Sequence, residues 1–167
     1  MELNLETALV FITIILTGLT AGLCFTWTNA VTPGIGQMDD GGFLLAFQQM
    51  NRSIINPAFI IVFFGPFISN LILVYLKYQS PDKSSWVFHG AAILFIVGVV
   101  LVTVLKNIPL NEILDKTDLA LASTEELKVL RQKFENPWKQ WHLVRTFSSI
   151  GSFVLLLIGL LLSNQTS

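Results

Sequence analysis

The chain has 167 residues, of which 53% are hydrophobic and only 13% charged, with a net charge of −1. Soluble domains carry roughly 25% charged residues, so this chain lacks the polar surface to cover a water-facing globule. The near-neutral balance gives no basic footprint for nucleic acid, and the single cysteine, Cys24, excludes an internal disulfide framework and a cysteine-rich metal site.

Four stretches without a charged residue or histidine place the chain in a membrane. They run between Thr7 and Met38, between Ser53 and Leu76, between Gly90 and Leu105, and from Thr146 onward. A helix needs about 20 apolar residues to cross roughly 30 Å of hydrocarbon, which predicts spans near 8–29, 58–78, 86–105 and 141–162. A run such as Val154 to Leu162 does not alternate, which argues against a β-barrel. The acidic start of the chain, with Glu2 and Glu6, is unlike a cleavable signal peptide. The expected fold is all-α: one membrane domain over 1–167, an integral four-helix bundle with membrane lipids around it. Gly18 and Gly22 form a small-xxx-small pair that suits helix contact inside the bundle or between copies in a homo-oligomer.

Four spans put both termini on one side, with the short loop around Lys83. The other side carries the two longer connections and most of the basic residues, so the positive-inside rule places those loops in the cytoplasm, in a multi-pass cell-membrane protein. The first connection has turn signals at Pro33-Gly34 and Asp39 to Gly42. A short amphipathic helix then follows over Phe43–Ile55, with Phe43, Leu44, Phe47, Met50 and Ile54 at helical spacing. Asn56-Pro57 reads as an N-cap and first-turn proline for span two. In the second connection Pro109 is expected to end or kink span three. A polar helix over Ser123–Glu135 is expected next, and Asn136-Pro137 repeats the helix-start signal before span four.

Ionisable groups in hydrocarbon are expensive and by default mark a site. Arg145 lies about one turn into span four, and His142 lies three residues before it, on the same helical face. Histidine suits proton transfer near neutral pH, and arginine offers a fork of donors for an oxyanion. The plainer alternative is that both snorkel to the headgroups. Gln48, Asn51, Asn107 and Asn111 fall at a similar level on other elements, as pocket-lining groups or as caps and interhelical bonds. Trp27, Trp138 and Trp141 fit an interfacial aromatic belt, with Trp141 also beside the His142–Arg145 face. His89 sits at the opposite end of span three from the His142 level. The two histidines therefore cannot share a haem, and no further ligand stands at metal spacing with either.

Four segments carry a resemblance: Gly22 to Gly34, Gln48 to Pro57, Thr103 to Asn111 and Trp138 to Thr146. Together they make the chain, from about Leu9 to Leu162, similar to the anthrone-oxygenase-like family of small membrane proteins, whose bacterial members are a domain of unknown function. The resemblance implies oxidation of a lipophilic aromatic or quinol-like substrate without flavin, haem or metal. Such an oxygenase needs a general base, oxyanion donors and an apolar pocket. Matching those roles implies His142 as catalytic base and Arg145, Asn107 and Asn51 as candidate oxyanion donors, with Gln48, Asn111 and Trp141 also expected around the substrate. The competing expectation is a non-catalytic membrane protein that binds a lipid or small hydrophobic ligand, or scaffolds a partner. The same polar groups would then be structural.

Overall fold

The computed structural model describes residues 5–79 and 81–163. Four long helices dominate it: α1 (Leu5–Ile35), α3 (Pro57–Gln79), α4 (Ser85–Lys116) and α5 (Thr124–Ser163). The shorter α2 (Asp40–Ile54) lies between α1 and α3, and no strand occurs among the described residues. All four long helices are long and apolar enough to cross a bilayer, as expected. Small and hydroxyl-bearing side chains share the interior with Leu73, Phe88, Phe95 and Leu156. Thr13, Thr17, Thr20, Ser149 and Ser152 are fully buried, while Ile12, Ile61, Ile93, Phe147 and Leu161 point outward. That inversion suits helices packing in lipid, where close approach and interhelical hydrogen bonds replace a hydrophobic driving force. Ser152 Oγ donates to the Ala91 carbonyl at 2.8 Å, and Gly18 is so near the Phe153 ring that a methyl there would stand 2.9 Å from it.

The helices run further than their apolar stretches. α5 has 40 residues, about 60 Å at 1.5 Å per residue, and it absorbs the polar helix expected over Ser123–Glu135. Asn136-Pro137 therefore starts nothing; Pro137 sits inside α5. The polar turns are held by Arg131–Glu135 and Lys139–Glu135 pairs at i,i+4. Ser123 is the cap, with its backbone N–H donating to Glu126 Oε2 at 2.8 Å. Pro109 likewise fails to end span three. Before it, the Ile108 N–H donates to the Thr103 carbonyl five residues back, in a widened π turn over Thr103–Asn107. The same device precedes Pro33, where the Thr32 N–H reaches the Trp27 carbonyl. A proline ring clashes with the carbonyl four residues back, and in both helices the π turn falls where that crowding arises.

α2 starts one turn's fraction earlier than the periodicity suggests. Asp39 caps it by accepting from the Gly42 N–H at 2.7 Å. Arg131 of α5 pins its start, donating to the carbonyls of Gly36 (2.8 Å) and Met38 (2.9 Å) and pairing with Asp40. Asn56 caps α3 as expected, accepting from the Phe59 N–H at 3.0 Å. α1 packs against α3 and α5, and α4 packs against α5 throughout but against α3 along Ser85–Phe95. Phe63 extends that last contact to Val99 and Val100. Beyond them α3 and α4 part, and the space between them is the site.

Candidate functional site

A cavity of about 450 Å³ lies where α3 and α4 separate, beneath the end of α2. α1 contributes Leu23, Cys24 and Trp27, and α2 contributes Asn51, Arg52, Ile54 and Ile55. Phe59, Ile60, Phe63 and Phe64 come from the first turns of α3, and Thr103, Ile108, Asn111, Glu112 and Asp115 from α4. Trp138, His142 and Arg145 complete the wall from successive turns of α5.

Arg145 sets the character of this space. Its side chain is 9% exposed, and among the described residues no carboxylate stands within salt-bridge distance of it. An arginine carries only donors. Here Nη1 donates to Thr103 Oγ1 at 3.2 Å, Nη2 donates to His142 Nδ1 at 2.5 Å, and Nε has no partner. The guanidinium carbon lies 5.5 Å from the centre of the Trp138 ring, which adds a cation–π contact. A buried cation without a counter-ion costs several kcal/mol; two neutral acceptors and one ring face offset only part of that.

His142 is fixed by the same logic. Because Arg145 donates to Nδ1, that nitrogen is the acceptor, and the ring proton belongs on Nε2, which donates to the Cys24 carbonyl at 3.0 Å. The ring stacks on Trp138 at 4.6 Å between centroids and 16° between planes. Trp138 in turn meets Phe47 and Trp27 and donates from Nε1 to Asn111 Oδ1 at 2.8 Å. Both histidine nitrogens are therefore occupied, and the base role that the resemblance implied has no free lone pair in this arrangement.

The structure brings His142, Arg145, Asn51 and Asn111 to one cavity wall, with the Asn51 amide nitrogen buried and unpartnered. Gln48 lies apart: its amide donates to the Leu114 (2.9 Å) and Thr117 (3.2 Å) carbonyls and fastens α2 to the end of α4. Asn107 is buried behind the wall, donating to the Trp138 carbonyl at 3.3 Å. Trp141 lies under the Lys106 ammonium, 5.1 Å from its ring centre, and does not line the cavity. Trp138, expected in the interfacial belt, is 3% exposed and belongs to the wall. Thr103 and Trp138 hold Arg145 and were not singled out from sequence for that role. A threonine or tryptophan within an apolar span carries no signal that separates such a contact from packing.

The geometry defines a membrane-embedded helical protein with an apolar, aromatic-walled cavity and one uncompensated cation inside it. The chain belongs to the anthrone oxygenase family, whose model matches residues 58–155. The match takes in α3, α4 and the part of α5 that bears Trp138, His142 and Arg145; the motifs around Gly22 and Gln48 fall outside it. No match was found among curated proteins or among solved structures.

Proposed function

We propose that this protein is an oxygenase that converts a lipophilic aromatic ring system bearing an acidic CH₂ into the corresponding quinone. The observation that carries the reading is Arg145, a buried guanidinium with a free Nε and no carboxylate within pairing distance, lining a mostly apolar cavity whose carboxylates, Glu112 and Asp115, pair with Lys116 and Arg52 instead. An anthrone-like substrate supplies what such a site lacks, since loss of a ring proton leaves a carbanion whose charge sits largely on the ring oxygen. Arg145 would hold that oxygen, with Asn51 or Asn111 as a further donor. The electron-rich anion reduces O₂ and combines with it to give a hydroperoxide. Loss of water from the hydroperoxide leaves a ketone: one oxygen atom stays as C=O, and the other departs with the two hydrogens of the CH₂.

His142 serves here as a positioning residue. It orients Arg145 and stacks on Trp138, and the substrate is bound as its anion. The cavity volume falls in the range of ligand pockets, roughly 300–1,000 Å³, so a fused three-ring body fits the space. In this reading the protein is a cell-membrane protein with α2 and the α4–α5 connection in the cytoplasm, as the basic residues on that side suggest. The test is oxygen uptake and quinone formation by the purified protein with an anthrone. Arg145→Ala should lower turnover about 10²–10³-fold, the loss typical of an oxyanion donor, while the protein still inserts. Saturable binding of the anthrone with no oxygen uptake by the unaltered protein would instead make this a binding protein.

A further inference from the structure

We infer that the ligand reaches Arg145 sideways from the bilayer, through the opening between α3 and α4. This rests on reading the cavity as a ligand site and adds its route. Three observations carry it. The helices part: α3 packs on α4 along Ser85–Phe95, with Phe63 reaching Val99 and Val100, and the cavity begins beyond that contact. The edges of the opening are apolar and face outward, with Ile60 at 47%, Phe64 at 37% and Ile108 at 38% exposure. On the side of α2 the cavity is edged by charge: Arg52 donates to Asp115 at 2.5 Å, from α2 to α4, through two half-exposed side chains that an apolar molecule would have to desolvate to pass.

A lipophilic molecule partitions into the leaflet first, so a side opening meets it where it is concentrated. Its ring body then lies against Phe59, Phe63 and Trp138, and its acidic oxygen meets Arg145, the cation set back in the cavity. Arg52 is already neutralised by Asp115. One charge on the ligand therefore matches one uncompensated charge on the protein.

The test uses the full chain in phosphatidylcholine vesicles with 2-anthracenecarboxylate as probe, its methyl ester as the neutral control, and a Trp86→Phe, Trp141→Phe background. Trp27 and Trp138, both on the wall, then report binding by energy transfer to anthracene. Saturable transfer with the acid and not the ester is expected; equal, non-saturating transfer from both would overturn the ligand-site reading itself. Access is tested separately with a bulky maleimide on Ile60→Cys, at the side opening, or on Glu112→Cys, at the aqueous rim, single labelling being confirmed by mass. The adduct at Ile60 should slow association and dissociation alike by about tenfold or more, leaving Kd little changed, whereas the adduct at Glu112 should do neither. Unchanged rates at Ile60, or slowing at Glu112 alone, would overturn the lateral route while leaving the site intact.

Discussion

At the scale of single residues, what distinguishes this interior is a guanidinium held by neutral partners. Were His142 the proton acceptor, any turnover would follow its titration, with an inflection that disappears on replacement. The hydrogen bonds argue otherwise, since Nδ1 accepts from Arg145 and Nε2 donates to the Cys24 carbonyl. Glutamine presents both an acceptor and a donor, whereas leucine presents neither. His142→Gln should therefore keep binding of the anionic probe and turnover within about tenfold, and His142→Leu should lose about 10²-fold, the scale of one charge-assisted contact. The pH profile of His142→Gln should overlay that of the unaltered protein. An inflection present in the parent and absent from the variant would restore the base role. His142 and Arg145 were legible in the sequence because an ionisable group inside an apolar stretch is costly enough to need a reason. Their partners were not legible. A threonine hydroxyl, a tryptophan face and a backbone carbonyl are common in any membrane helix, and only the crossing of α1, α4 and α5 brings Thr103 to the guanidinium beside Trp138 and the Cys24 carbonyl to His142.

At the scale of helices, the prolines show how far local rules reach. Length and hydropathy located all four spans, because no other arrangement hides twenty apolar residues in lipid. Their ends were misread at Pro33, Pro109 and Asn136-Pro137, each a turn or helix-boundary signal inside a helix that continues past it. Pro66, in the middle of α3, was read straight through, and it shows what sustains a helix at a proline. It lacks the N–H that would bond to the carbonyl four residues back, Val62, and the Thr20 hydroxyl from α1 approaches that same carbonyl at 2.7 Å. The Pro66 carbonyl in turn accepts from the Asn70 amide at 2.8 Å. A hydrogen bond between helices in a membrane contributes roughly 0.6–1.7 kcal/mol. Thr20→Val should thus destabilise the protein by about 1 kcal/mol, measured by unfolding from detergent micelles. In a Pro66→Ala background the new N–H can satisfy Val62 itself, so the same Thr20→Val change should cost close to nothing. An equal cost in both backgrounds would show that Thr20 acts through packing alone.

At the scale of the whole molecule, the two ends are secured differently, and the difference protects the site. On the cavity side α2 is tied down by Arg131 at its start, by Gln48 at its body and by the Arg52–Asp115 pair in its last turn, where Ile54 lines the cavity. At the far end one lysine closes the structure. Lys77 on α3, 4% exposed, pairs with Glu6 of α1 at 2.7 Å and with Asp82 of the α3–α4 turn at 2.6 Å, and lies 5.3 Å from the centre of the Phe88 ring. Asp82 also accepts from the Ser84 N–H and hydroxyl. Partial burial alone would raise its pKa, but hydrogen bonds from Lys77 and Ser84, with the lysine's charge, outweigh it and bring the carboxyl from 3.8 down to about 2. The sign follows from linkage. A carboxyl whose folded value is depressed stabilises the fold above its ordinary value, and that contribution fades as pH falls from about 4 to about 2. Solvent at this turn screens the pairing, so the effect at neutral pH is on the order of 1 kcal/mol. Asp82→Asn should therefore lower stability at pH 6 by about that amount, and the two proteins should converge as the pH approaches 2. Because this tie lies at the opposite end of α3 from the opening between α3 and α4, the variant should bind the anthracene acid normally at pH 6. A weakened probe affinity in Asp82→Asn would mean that the far tie sets the spacing of the helices at the cavity as well.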